Sequence, residues 1–222
     1  MKTILSVVLL AFVMPAIGQQ KQSRINLYGG YVFDDKVDSY YDPTSYYNGT
    51  VKGGFQWGGG IEFLPHYNMG IELLYLRQDT KAPMNYYSGG VKYTNFDLGI
   101  NYVLLGGNRY FQKPGGKVEG FGGFLVGVDI MSLKNPTNGN SGTKSKVALG
   151  LRGGGNIWAS EKVGIKLQAQ LLSAIQSVGG GFYFGTGGTS VGLTTYSSIY
   201  QFTLGGGLVF KLGTQQKAKG RK

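Results

Sequence analysis

Residues 55–75 read FQWGGGIEFLPHYNMGIELLY. The odd positions Phe55, Trp57, Gly59, Ile61 and Phe63 are apolar or Gly, and the even positions Gln56, Gly58, Gly60 and Glu62 are polar or Gly. After Pro65-His66-Tyr67-Asn68 the odd phase resumes with Met69, Ile71, Leu73 and Tyr75, leaving Glu72 on the other phase. A period of two marks β-strands, because successive side chains leave opposite faces of a sheet. Two such runs across four turn residues form an antiparallel hairpin with one apolar face and a Glu on the opposite face of each strand.

The same alternation extends in both directions. It is present in Ile25, Leu27, Gly29, Tyr31 and Phe33, with Arg24, Asn26 and Tyr28 between; in Phe96, Leu98, Ile100, Tyr102 and Leu104, against Asn95, Asp97 and Asn101; and in Phe124, Val126, Val128 and Ile130, against Asp129. Three more runs follow: Val147, Leu149, Leu151 and Ile157 against Lys146, Arg152 and Asn156; Val163, Ile165, Leu167 and Leu171 against Lys166, Gln168 and Gln170; and Phe202, Leu204, Leu208, Phe210 and Leu212 against Gln201, Thr203 and Lys211. That gives eight strands. The connections at 34–52, 79–90, 132–144 and 174–197 are long, whereas 65–68 and 159–162 are tight and 105–116 is a longer turn. An even set of antiparallel strands with long loops at one end and turns at the other is the plan of an up-and-down barrel of the outer-membrane type.

Composition agrees. The 222 residues include 40 Gly, 16 Tyr, 12 Phe and no Cys, and only 15% are charged. The charge-rich, aromatic-poor signature of disorder is missing, and without Cys there is no disulfide scaffold or thiolate chemistry. Residues 1–18 read as a signal peptide, with Lys2, an apolar run from Ile4 to Met14, and small residues at Ala16 and Gly18. No later run is long and apolar enough for a spanning helix. Sheet can survive in hydrocarbon only if every backbone group is paired, which requires closure, and eight strands enclose an interior filled by side chains.

Searches for chemistry-bearing motifs give little. No complete G-x-G-x-x-G exists, and Gly116-Lys117 has Phe111 where a Walker loop needs its first Gly. The single His, His66, falls in a tight turn without a triad, and Asp34, Asp35, Asp38 and Asp42 do not follow the EF-hand pattern. We therefore expect no catalytic residue, no metal and no cofactor. The net charge of +11 is concentrated in Lys217, Lys219, Arg221 and Lys222 of the tail and in Arg109, Lys113 and Lys117 of one turn, and it makes no nucleic-acid face.

The chain resembles the small eight-stranded outer-membrane barrels of Gram-negative bacteria, the OmpA-like transmembrane barrels, and among them the Bacteroidetes outer-membrane β-barrel domain proteins. The residues that carry the resemblance are the Ala16-Ile17-Gly18-Gln19-Gln20 cleavage region, the Gly-aromatic strands, Gly179-Gly-Gly-Phe-Tyr-Phe-Gly-Thr-Gly-Gly188, and the closing Gly205-Gly-Gly-Leu-Val-Phe-Lys-Leu212. It implies an assembly signal at Phe210 with Leu212, read by the barrel-assembly machinery, and it implies outer-membrane lipid and lipopolysaccharide as surroundings. Ten residues follow Leu212, too few for a peptidoglycan-binding domain.

The expectation is an all-β, eight-stranded antiparallel transmembrane barrel. Its parts are a signal peptide at 1–18, a barrel at 19–212 and a basic periplasmic tail at 213–222. The polar phase predicts a lumen charge network of Glu62, Glu72, Asp97, Glu119 and Asp129 facing Lys146, Arg152, Lys166 and Lys211. In it Asp129 meets Lys146 near the loop end, Asp97 meets Arg152 at mid-height, and the three Glu meet Lys166 and Lys211. Tyr40, Tyr41, Tyr46, Tyr47, Tyr86, Tyr87, Phe182, Tyr183 and Phe184 are expected to form an extracellular aromatic contact surface. The function expected is that of a non-enzymatic, porin-like barrel, structural or an accessory subunit of a larger envelope protein complex. The alternative is a narrow channel or small-ligand-binding barrel. With termini and turns periplasmic, protease added to intact cells should cut only in the loops at the opposite end, and cleavage within 213–222 under those conditions would reverse the orientation.

Overall fold

The computed structural model describes residues 22–42, 45–87, 90–112, 115–175, 181–185, 188–192 and 199–212. The expected signal peptide and basic tail lie outside these. Eight strands form a ring: β1 (Gln22–Val32), β4 (Gly54–His66), β5 (Met69–Tyr87), β6 (Val91–Gln112), β7 (Val118–Lys134), β8 (Ser141–Trp158), β9 (Val163–Ile175) and β12 (Ile199–Leu212). Each pairs antiparallel with the next in this order, and the ring returns to its start where β1 pairs with β12, Ser23 opposite Leu212 through Val32 opposite Thr203. Two hairpins stand outside it. β2 (Asp35–Asp42) and β3 (Ser45–Val51) pair with each other, and β3 joins β5 at Tyr47–Tyr86, Asn48–Asn85 and Gly49–Met84; β10 (Gly181–Gly185) and β11 (Gly188–Gly192) make a separate small sheet.

Outward positions of the ring form an apolar belt that includes Leu27, Ile61, Ile71, Leu73, Leu105, Phe124, Leu151, Ile165, Leu167, Leu204 and Leu208, all exposed. Such a face is unstable in water and suits acyl chains. Aromatic rings edge it toward the loop end: Trp57 meets Tyr75 at 6.4 Å, and Phe33 lies between Tyr31 at 5.5 Å and Phe202 at 5.6 Å. Tyr and Trp are enriched at this depth because the ring is apolar and its tip polar. Just beyond these rings the outer face turns polar. Arg77 donates to Asp79 at 2.7 Å and to Asn101 at 3.0 Å, Tyr75 donates to Asn101 at 2.8 Å, and Lys81 pairs with Asp97 at 3.1 Å.

Several sequence expectations need correction at this end. The stretches 79–90 and 132–144 are mostly strand, since β5 continues to Tyr87, β6 begins again at Val91, β7 reaches Lys134 and β8 starts at Ser141. Residues 105–112 likewise belong to β6. The phase assigned to 95–104 was inverted: Phe96, Leu98, Ile100, Tyr102 and Leu104 point inward and are buried, joined by Ala82, Met84, Met131 and Leu133 and by Val37 and Val51 of the β2–β3 hairpin. From Asn101 toward the loop end these strands rise past the lipid belt, whereas Leu104, at the height of the belt residue Leu105, faces inward into the apolar cluster with Leu74 and Leu125. Where the outer face meets water, the apolar phase must point in, as in any soluble sheet.

The short hairpin base is fixed at the ring by Asp34, which accepts from the Lys52 ammonium and from the Gly53 N–H at 2.8 and 2.7 Å. That ion pair, with the backbone donor, holds the Asp34 carboxyl below its ordinary range. The seam between β1 and β12 depends on Gly: a Cβ on Gly207 would collide with the Leu27 carbonyl, and one on Gly205 with the backbone of Gly29 and Gly30. Gly207→Val should therefore lower the yield of the compact, heat-modifiable form on gels, whereas Gly122→Ala, which meets open space, should leave it unchanged.

Candidate functional site

The turn-end half of the lumen is ionic. Arg24 of β1 donates to both Glu119 carboxylate oxygens, at 2.7 and 3.0 Å, and Asn156 of β8 donates to Glu119 at 2.8 Å. A bidentate guanidinium–carboxylate contact combines two charge-assisted bonds with fixed geometry. The Arg24 guanidinium also lies 4.6 Å from the Tyr110 ring centroid and 5.2 Å from that of Trp158. One layer deeper, Glu72 pairs with Arg152 and accepts from Tyr28 and Asn26, both at 2.7 Å. Arg152 in turn donates to Asn108 at 3.1 Å and to Tyr28 at 3.3 Å. Glu62 accepts from Asn108 at 2.6 Å and from Tyr110 at 2.5 Å.

Lys166 completes the set. It is fully buried, its ammonium has no hydrogen-bond partner among the described residues, and it sits 4.5 Å from the Phe121 ring centroid and 5.5 Å from that of Tyr28. The ring faces attract a cation electrostatically. Higher up, Asp129 and Lys146 lie opposite each other in the β7–β8 register, but neither Asp129 oxygen has a hydrogen-bond partner among the described residues. Among the described residues the buried charged side chains are thus four acids, Glu62, Glu72, Glu119 and Asp129, and four bases, Arg24, Lys146, Arg152 and Lys166. Formal neutrality matters here, because an uncompensated charge in a low-dielectric interior costs several kcal/mol, about the size of a domain's net stability.

Of the nine residues expected in this network, seven are buried in the lumen, and Lys211 is half-buried at its mouth with its ammonium 3.6 Å from the Trp158 ring centroid. Asp97 does not belong: its side chain is 49% exposed on the outer face and pairs with Lys81 there. Arg152 consequently meets Glu72 rather than Asp97, and Glu119 meets Arg24 rather than a lysine. Sequence reasoning omitted Arg24, although it stands on the polar phase of the first strand, and the neutral donors Asn26, Tyr28, Asn108, Tyr110 and Asn156 that complete the carboxylates' bonding.

Tyr86 is also misplaced in the expected aromatic surface. It is 6% exposed, points inward, packs its ring on Phe96 at 6.1 Å and shares a hydrogen bond with Thr94. The side chains of Tyr40, Tyr41, Tyr46, Tyr47, Tyr87, Phe182, Tyr183 and Phe184 lie outside those described, although their backbones fall in β2, β3, β5 and β10. Phe210 and Leu212 stand on the outer face at the turn end of β12, Phe210 opposite Ile25 and Val163. Among the described residues there is no group of three His, Cys, Asp or Glu side chains able to hold a metal, and His66 is exposed without a hydrogen-bonded partner.

Comparison with known proteins gives the fold. No protein family and no curated relative matches the sequence. Among solved structures, the outer membrane protein OprG from Pseudomonas aeruginosa matches with a TM-score of 0.59 at 11% identity, covering 87% of this chain and 96% of that one. Neisserial surface protein A matches at 0.53 and 12%, covering 86% and 97%. The outer membrane protease OmpT from Escherichia coli matches at 0.52 and 8%, covering 87% and 98%.

The ionic network yields a direct test. Arg152→Ala leaves Glu72 buried without its cation and should destabilise the folded barrel by about 3–5 kcal/mol, read by urea unfolding in lipid vesicles. Adding Glu72→Ala should restore part of that loss, whereas Asp97→Ala should change stability little on its own and rescue nothing. With an eight-strand antiparallel ring, an apolar belt and these structural likenesses, the chain has the fold of the outer-membrane β-barrels, and belt and fold together are those of a protein resident in an outer membrane.

Proposed function

We propose that this is a non-enzymatic outer-membrane barrel with a structural role or a place as an accessory subunit of a larger cell-envelope complex, in the Bacteroidetes barrel family that its Gly-aromatic strands resemble. The observation that carries this reading is the filled lumen. Two ionic layers, Arg24–Glu119 and Glu72–Arg152, cross the turn-end half, and the apolar cluster around Ile100, Tyr102, Leu104 and Leu125 occupies the rest. An eight-stranded ring has room for these side chains and little else. Neighbours by fold include a protease, but the lone His66 lies at an exposed turn with no carboxylate or hydroxyl bonded to it among the described residues, so it forms no histidine-based nucleophile pair there.

In this proposal the Tyr-rich β2–β3 hairpin and the Phe182-Tyr183-Phe184 segment face outward from the cell and meet the partner, while lipid and lipopolysaccharide surround the belt and Phe210 with Leu212 serves the assembly machinery. Exposed Tyr gives broad contact at small entropic cost. A second reading, a narrow channel or small-ligand binder, is favoured by buried polar atoms along the lumen that have no partner among the described residues, notably both side-chain polar atoms of Gln170, both oxygens of Asp129 and the Lys166 ammonium. Such groups cost roughly 1–3 kcal/mol each unless water or a solute reaches them.

Two measurements separate these readings. In planar bilayers the accessory or structural barrel should pass no steady current, and reproducible unitary conductance would favour the channel. Replacing Tyr40, Tyr41, Tyr46 and Tyr47 by Ser should leave the heat-modifiable gel shift intact and deplete proteins co-purified from mildly solubilised membrane. Loss of even two true contact anchors, at about 2 kcal/mol or more each, would be visible. The same proteins at the same yield would remove the accessory-subunit reading.

A further inference from the structure

Arg109 is a cation placed in the apolar belt. It is exposed between the buried Asn108 and Tyr110, so its side chain leaves the outer face of β6. On that face its neighbours along the strand are Gly107 and Phe111, and across the ladder Met69 of β5 and Gly122 of β7. Phe111, 63% exposed, stands one outward position nearer the turn end, which puts Arg109 inside the belt rather than beyond it. From that depth a guanidinium on its flexible stem reaches the headgroup level, where a charge costs little.

No acidic side chain of the chain is placed to neutralise it from the lipid side. Of the eleven, Glu62, Glu72, Glu119 and Asp129 face the lumen, and Asp34, Asp35, Asp38, Asp42, Asp79 and Asp97 belong to the loop end. The eleventh, Glu161, is in the connection between β8 and β9, on the far side of β7, and makes no ion pair with Arg109. Those eleven are all the Asp and Glu from residue 1 to residue 222.

Beside Arg109 the outer face is bare backbone. Gly122 is opposite Arg109 and Gly153, and Gly120 is opposite Phe111 and Gly155, so four Gly adjoin on β7 and β8. A Cβ on Gly122 would meet nothing within 4 Å, and one on Gly120, Gly153 or Gly155 would meet only carbonyl oxygens at 3.7–3.9 Å. Exposed side chains stand round this floor: Phe124 and Leu151 toward the loops, Val118 and Ile157 toward the turns, Leu167 on β9, and Phe111 with Arg109 on β6. The result is an apolar depression one side chain deep, open to lipid, with a cation on its rim. Between two apolar phases association depends on close packing, which bare backbone permits, and the cation selects what is held.

We propose that this depression holds one phospholipid of the leaflet at the turn end, its phosphate on the Arg109 guanidinium and an acyl chain lying over Gly120, Gly122, Gly153 and Gly155. A phosphate offers the guanidinium the bidentate anionic partner that the chain withholds. The inference rests on the outer-membrane placement of the barrel alone and is independent of the accessory-subunit reading.

The full chain, refolded in detergent, is incubated with dioleoylphosphatidylglycerol and dioleoylglycerol at equal concentration, and native mass spectrometry counts the lipids retained. The expected result is one phosphatidylglycerol held in preference to the phosphate-free lipid. Arg109→Gln should lower its retention about fivefold, the worth of one basic residue at a lipid surface, and Arg109→Lys should recover most of it. Arg77→Gln, which removes an outward cation at the other end of the belt, should change nothing. Gly122→Leu with Gly153→Leu fills the depression and should also lower retention while the heat-modifiable gel shift persists. The proposal is overturned if dioleoylglycerol is held equally well, if Arg109→Gln retains as much lipid as the parent, if Arg77→Gln loses as much as Arg109→Gln, or if the folded double-Leu variant is unchanged. Should the double-Leu variant not fold, the Arg109 and Arg77 comparison decides by itself.

Discussion

Everything in this molecule follows from the pairing of β1 with β12. Ten consecutive register positions, from Ser23–Leu212 to Val32–Thr203, join the first ring strand to the last, so no ring strand keeps an unpaired edge along that stretch. In hydrocarbon an unpaired N–H or C=O has no water to turn to, and a sheet with free edges would not be tolerated there. The Gly residues at 205 and 207 let the two backbones meet closely enough. Once the edges are joined, two faces of different character are forced on every strand, one against lipid and one against the other strands' side chains.

The inner face then has to solve its own problem. A narrow lumen cannot hydrate many charges, yet among the described residues eight buried charged side chains are in it. Equal numbers of each sign make that possible, and neutral donors finish the carboxylates: Asn26 and Tyr28 on Glu72, Asn108 and Tyr110 on Glu62, Asn156 on Glu119. The result is a plug made of side chains, coupled through Arg152, which touches Glu72, Asn108 and Tyr28 together. Such a network resists piecemeal change, because removing one member strands the others.

Much of this was legible in the alternation. The seven expected charges that do face the lumen stood on the polar phase of runs whose other phase is apolar, and in Glu62 and Glu72 the reading followed from twenty-one consecutive residues. Arg24 is equally legible, standing on the polar phase of the first strand. Asp97 and Tyr86 were not legible by the same rule, because the rule assumes that the apolar phase faces lipid. Along β5 the outward side chains run Ile71, Leu73 and Tyr75, then Arg77, Asp79 and Lys81, and the inward ones end in Ala82, Met84 and Tyr86. The phase reverses within one strand.

The sequence by itself determined the eight ring strands, though not their full lengths nor the β2–β3 and β10–β11 hairpins, together with their antiparallel order and the need for a closed sheet, since a period of two and the spacing of turns are local properties of the chain. It did not determine which phase points inward at a given height, nor which acid meets which base. Those depend on how far each strand rises past the lipid and on cross-ring distances between residues as remote in sequence as Arg24 and Glu119. Only the tertiary structure decides them, because the surroundings of a side chain, lipid, water or lumen, are set by the ring as a whole rather than by its neighbours in the chain.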